Sequence, residues 1–172
     1  MAQNLLLPDV KAVSKFIGCE VHTFDPTLSK PFIGDKYATF HPWGVGEDGS
    51  VNKFNGLEWT AKSIDTIVRK LDHADRKIDV LKIDCEGCEW TSLPPVFDAI
   101  TNGTLKVDQI LVELHRTPEL KQTKPFFDKL DEAGMRVFHK ERNHWGCSGY
   151  KCLEYAFVSE SFLRQANAQY VC

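Results

Sequence analysis

Apolar and polar positions divide the chain into alternating strand-like and helix-like stretches, and the clearest of them runs from Ile78 to Trp90. Ile78, Val80, Leu81 and Ile83 form a short, nearly continuous apolar run, the pattern of a strand buried on both faces of a parallel sheet. Gly87 interrupts the run, and apolar positions resume with helical spacing at Trp90, Leu93, Val96, Phe97 and Ile100. Upstream, Pro8 to Ile17 reads as a short helix with Val10, Val13, Phe16 and Ile17 on one face and Gly18 as its stop. Cys19 to Phe24 alternates as a strand ending in Asp25-Pro26. Tyr37 to Val45 is a further apolar segment, and Val51 to Trp59 reads as a small hairpin. Ser63 is suited to cap a helix whose apolar face is Ile64, Ile67, Val68 and Leu71.

Downstream the alternation continues. Val107, Ile110, Leu111, Val112 and Leu114 form a strand that ends in Glu113 and His115. Pro125 opens a helix carrying Phe126, Phe127, Leu130 and Ala133, closed by Gly134. Met135 to His139 and Leu153 to Val158 read as a final antiparallel pair. Strands alternating with helices over one domain-sized length predict an α/β fold with a mostly parallel sheet, a single domain over residues 1–172.

The totals narrow the function classes. With 21 Lys plus Arg against 24 Asp plus Glu, the net charge of −3 gives no electrostatic footprint for nucleic acid or an anionic membrane. No apolar stretch approaches the ~20 residues of a membrane-spanning helix, and the opening eight residues lack the basic start of a signal peptide. Six cysteines and the sequon Asn102-Gly103-Thr104 point weakly to the secretory route. Cys147 and Cys152 bracket a short loop and suit a disulfide if the compartment is oxidising. Cys85-Glu-Gly-Cys88 has zinc-ligand or redox spacing, against which stands the ordinary burial of a small core cysteine.

The candidate chemistry sits at strand ends. Asp84, Glu86 and Glu89 follow the Ile78–Ile83 run, and a strand ending in acids and a glycine before a helix is where an open α/β sheet places its ligand. If both strands end on one sheet edge, Glu113 and His115 join Asp84 and Glu86 as catalytic candidates, with His115 the natural base at neutral pH. Asp25, at a strand tip, is where a carboxylate would accept from both hydroxyls of a ribose. The bland alternatives are that Asp25 belongs to an ordinary Asp-Pro turn and that Glu113 and His115 cap helices or pair with Arg116 and Lys82.

Thr60 to His115 resembles the FkbM-type class I methyltransferases and the animal methyltransferase-like proteins related to them. The resemblance is carried by Ser63-Ile-Asp65, by Asp79-Val-Leu-Lys-Ile-Asp84-x-Glu86-Gly87-x-Glu89-Trp90 and by Ile110-Leu-Val-Glu113-Leu-His115. Gly18 to Pro26, Trp43-Gly-Val-Gly46 and Glu154 to Val158 extend it over most of the chain. It implies a Rossmann-like sheet that binds S-adenosylmethionine and passes its methyl group, usually to oxygen, on a small-molecule or glycan acceptor. It further implies that Asp25 holds the ribose, that Gly44 and Val45 border the adenine and that Asp84 faces the methionine end. It also implies a first strand and an acidic-x-Gly-x-Gly turn ahead of Pro8, where only Leu5-Leu-Leu7 stands, so an N-terminally truncated sheet is expected. Two other functions remain open: a binding protein that keeps the fold without turnover, and a metal-dependent hydrolase using the carboxylate cluster, although no fixed ligand spacing marks a metal site. The loop from Arg142 to Lys151 is the candidate for choosing the acceptor.

Overall fold

The computed structural model describes residues 14–15, 18–29, 37–54, 56–116, 118–143, 147 and 152–169. The helix expected over residues 8–17 lies almost wholly outside them. The chain divides into two compact units, Met1–Ser63 and Ile64–Cys172.

In the first unit, β1 (His22–Phe24) pairs in parallel with β2 (Thr39–His41). β3 (Gly44–Val45) lies parallel to β5 (Leu57–Lys62), and β4 (Val51–Phe54) folds back on β5 as the expected antiparallel hairpin. Gly44 has a packing reason to be glycine: a Cβ there would overlap the indole of Trp59 on the paired strand.

The second unit opens with α1 (Ile64–Lys70), which buries the anticipated Ile64, Ile67 and Val68 and carries Asp65 in its first turn. Then come β6 (Lys77–Ile83), α2 (Glu89–Thr101), β7 (Lys106–His115), α3 (Leu120–Glu132), β8 (Met135–Arg142), β9 (Cys152–Ser159) and α4 (Glu160–Gln169). The four strands form one sheet in the order β6-β7-β9-β8. β6 and β7 are parallel, joined by α2 as a crossover; β9 runs antiparallel to both β7 and β8. In the core, α2 packs against β7 and α3. Leu93 and Phe97, one helical turn apart, are wholly buried, and the Phe97 ring meets Phe126 of α3 edge-on at 5.2 Å. Ile110, Leu114, Met135 and Phe157 complete the buried set.

Four expectations need correction. The described sheets are mixed rather than mostly parallel, because the chain returns through hairpin-like neighbours at β4–β5 and β8–β9. β6 is not buried on both faces: it pairs with β7 alone among the described residues, and Val80 is 46 % exposed. The strand with that burial is β7, in which seven of ten residues are buried and Gln109 and Leu111 are half-buried. α3 begins at Leu120, five residues before Pro125, since burial of Thr123, Phe126 and Leu130 along one face outweighs the one backbone bond the proline removes. Finally, α4 was not anticipated; Ser159 caps it, its Oγ accepting from Phe162 N at 3.1 Å.

Candidate active site

The parallel pairing of β6 and β7 matters because it carries both strand ends to one edge of the sheet. Ile83 stands opposite Val112, so Asp84 leaves β6 beside Glu113, and His115 follows two residues on, on the same face of β7. The structure therefore brings together all four residues expected to be catalytic. His115 Nε2 lies 3.8 Å from Asp84 Oδ1, 3.7 Å from Glu86 Oε2 and 3.7 Å from Glu113 Oε1.

The loop between β6 and α2 is shaped to hold these groups. Glu86 has φ +59°, a left-handed conformation costing a residue with a Cβ about 1–2 kcal/mol, and Gly87 follows at φ +125°. Cys85 and Cys88 close over the pair as a disulfide, with their Cα atoms 5.4 Å apart. Neither is then a zinc ligand or a plain core thiol. Cys147 and Cys152 form the second, expected bridge.

The side chain that organises the site was not among the expected catalytic residues. Glu89, at the first position of α2, is 0 % exposed. Its Oε1 accepts from the backbone N–H of Cys85 at 2.9 Å and from Nδ1 of His115 at 2.9 Å, so one oxygen fixes both the loop and the imidazole. Trp90 adds a second tie, donating from Nε1 to the carbonyl of His115 at 2.7 Å. Asn143 donates from Nδ2 to Glu113 Oε1 at 2.7 Å. Glu154 stands directly opposite Glu113 across the β7–β9 ladder, and Glu141 opposite Glu154 across β8–β9, so carboxylates form a row over the sheet. Helical position could have singled out Glu89; Glu154 and Asn143 needed the strand register.

Electrostatics follow from this crowding. Burial, then the neighbouring charge of Glu113, raises the Asp84 carboxyl above its ordinary value, and the same two causes raise Glu154. Burial disfavours a charge on His115, but the hydrogen bond to Glu89 and the negative charges of Glu89, Glu113 and Glu86 overcome it and lift the pKa from 6.5 to about 9. With that value the ring holds its proton at neutral pH, whereas a general base would act from the neutral form. Its native form holds a proton more firmly than the unfolded chain, so its stabilising contribution is complete below pH 6.5 and disappears as the pH rises through about 9. Urea midpoints in chelator-containing buffer should fall across that window, and the His115→Gln variant should lack that component of the fall.

Beside His115 a cleft of about 500 Å³ is walled by Trp90, Pro94, Pro118 and Phe126, with Arg116 and Lys129 among its lining residues. Most of the loop over residues 142–151 lies outside the described residues. The three expected cofactor contacts of the first unit have local roles there. Asp25, at the tip of β1, accepts through Oδ1 from Thr27 N at 2.8 Å and Thr27 Oγ1 at 2.6 Å, as an Asp turn does. Gly44 packs on Trp59, and Val45 pairs with Lys62.

A crossover unit with acids and a histidine gathered at adjacent parallel strand ends is the arrangement of an α/β enzyme site. A family model for a methyltransferase domain matches residues 10–159, through both units, and the chain belongs to that family. No curated protein and no solved structure matches it. Among the described residues no helix is long and apolar enough to cross a membrane.

Proposed function

We propose that the chain is an FkbM-type, Rossmann-like methyltransferase that takes its methyl group from S-adenosylmethionine and passes it to an oxygen. The observation carrying this reading is the convergence of Asp84, Glu86, Glu113 and His115 at the ends of β6 and β7 in a chain of the methyltransferase-domain family. Methyl transfer from a sulfonium is an in-line displacement, so alignment supplies most of the catalysis, and a hydroxyl acceptor must also shed its proton. With His115 already protonated, that proton passes to a carboxyl. Asp84 and Glu154, both with raised proton affinity, are suited to take it. The imidazolium balances the negative charge left on the cluster.

The cleft beside His115 would seat the acceptor, its apolar walls holding a ring and Arg116 favouring an acceptor with a negative group. A sugar or a small aromatic hydroxyl fits that description. In the first unit, Asp25 would use Oδ2 on the ribose while Oδ1 keeps its turn, with Gly44 and Val45 bordering the adenine. In the second, Asp84 would face the methionine end. The two disulfides support a site of action in an oxidising compartment such as the secretory route.

Calorimetric titration with S-adenosylmethionine tests the reading. Saturable binding of one cofactor per chain is expected, weakened about tenfold or more in Asp25→Ala, equivalent to about 1.4 kcal/mol. No binding heat at about millimolar cofactor, beyond the range of a working KM, would overturn it and leave a binding protein of the same fold.

A further inference from the structure

We propose that the Cys85–Cys88 bridge is a reversible thiol–disulfide exchange site, whose reduction by a thiol loosens the turn that carries Glu86 and supports His115. The exchange is independent of methyl transfer, since it needs only the turn and an incoming thiol.

Reach is the first argument. Both cysteines are half-buried, and Gly87 between them lines the cleft beside His115, so a thiol entering that cleft meets the turn. Cys152 of the other bridge, by contrast, is 1 % exposed. Ring size is the second. The bridged residues are separated by three in the sequence, and closing so short a loop constrains the unfolded chain little, so reduction forfeits little stability. The backbone is the third. Glu86 at φ +59° and Gly87 at φ +125° lie between the two cysteines, and an opened turn lets Glu86 leave a conformation unfavourable to a residue with a Cβ.

The direction of exchange follows from the helix. Cys88 stands at the N-cap of the 13-residue α2, and its side chain makes no capping bond there. The positive end of a helix favours a thiolate, and the better-stabilised thiolate leaves faster. An incoming thiolate therefore attacks Sγ of Cys85. The S–S bond breaks, its electron pair passes to Cys88, and that sulfur takes a proton from solvent. A second thiolate then attacks the incoming group's sulfur in the mixed disulfide and releases Cys85. Two electrons and two protons pass to the cysteines while two thiols become one disulfide.

The bridge bears on the site through one atom. Oε1 of Glu89 accepts from the Cys85 amide at 2.9 Å and from Nδ1 of His115 at 2.9 Å. The other oxygen, Oε2, is buried and has no hydrogen-bond partner among the described residues. When Cys85 moves away, the buried carboxylate loses one of the two donors that hold it. Glu86, whose Oε2 is 3.7 Å from His115 Nε2, is released by the same step. The oxidised turn is thus the form that keeps the site assembled.

Equilibrating the full chain in glutathione buffers of graded composition, then alkylating and mapping the peptides by mass, tests the proposal. Cys85 and Cys88 are expected to be at least half alkylated in excess reduced glutathione, with the far-ultraviolet circular dichroism unchanged. In that form the Cys85 amide should exchange with deuterium about tenfold faster or more, and the His115 ring resonances should move. Cys85→Ser combined with Cys88→Ser should show the same fast exchange at position 85 and the same moved resonances without any thiol. Alkylation of Cys85 and Cys88 only once the chain unfolds overturns the proposal. So does an opened bridge that leaves the Cys85 exchange and the His115 resonances unchanged. Wild-type His115 resonances in the double variant overturn it too, because the effect would then belong to Cys147–Cys152.

Discussion

Replacing Glu89 with alanine is expected to lower the unfolding free energy by about 3–5 kcal/mol, the cost of breaking a buried ion pair by removing one partner. The single oxygen lost serves two donors, the Cys85 amide and Nδ1 of His115, and both are left without an acceptor. His115 is itself 4 % exposed, so water offers the ring little compensation. Glu89→Gln should lose less, because its side-chain carbonyl can still accept from one of the two. Equilibrium urea denaturation of the three proteins measures the series. A loss below about 1 kcal/mol in Glu89→Ala, the net worth of one ordinary hydrogen bond, would show that His115 carries no charge there.

Phe97→Ala should cost about as much, 3–5 kcal/mol, for an unrelated reason. Phe97 is 0 % exposed and its ring stands edge-on to Phe126, so truncation leaves a cavity between α2 and α3 that neither helix can collapse to fill. The polar groups of the site stay in place in that variant. A thermal melt should therefore show a large drop, while the alkaline loss of stability assigned to His115 persists. If both variants abolish that pH dependence, the cluster depends on the packing of α2 as a whole and not on Glu89 in particular.

The legible parts of this fold were those where one local rule was enough. Ile64, Ile67 and Val68 announce α1 by their spacing, and the run from Val51 to Trp59 announces a hairpin, although the Ser63 hydroxyl donates to Asp48. An apolar run says nothing about how many neighbours a strand has, and among the described residues β6 pairs with β7 alone while β7 and β9 pair with each other. The site was legible in kind, since acids after an apolar strand are visible in the sequence. Their division of labour was not. Four carboxylates lie within reach of the same turn, and only the coordinates show that Glu89 is the one folded inward while Glu86 stays 55 % exposed. The opposition of Glu113, Glu154 and Glu141 is a matter of register across residues far apart in the chain, which no local pattern encodes. The same holds for the protonation of His115: the isolated residue titrates near neutrality, and its neighbours move it to about 9.

Among the described residues β6 is laddered on one flank, and that has a mechanical consequence. A strand bonded along one flank is the part of a sheet most readily loosened, and here it carries Asp84 at its tip, whereas Glu113 and His115 are anchored on a strand paired on both flanks. Anything that bridges the two tips would act as a clasp across them, stiffening β6 beyond what its described ladder with β7 supplies. Occupancy of the site and stiffness of the sheet's rim would then rise and fall together.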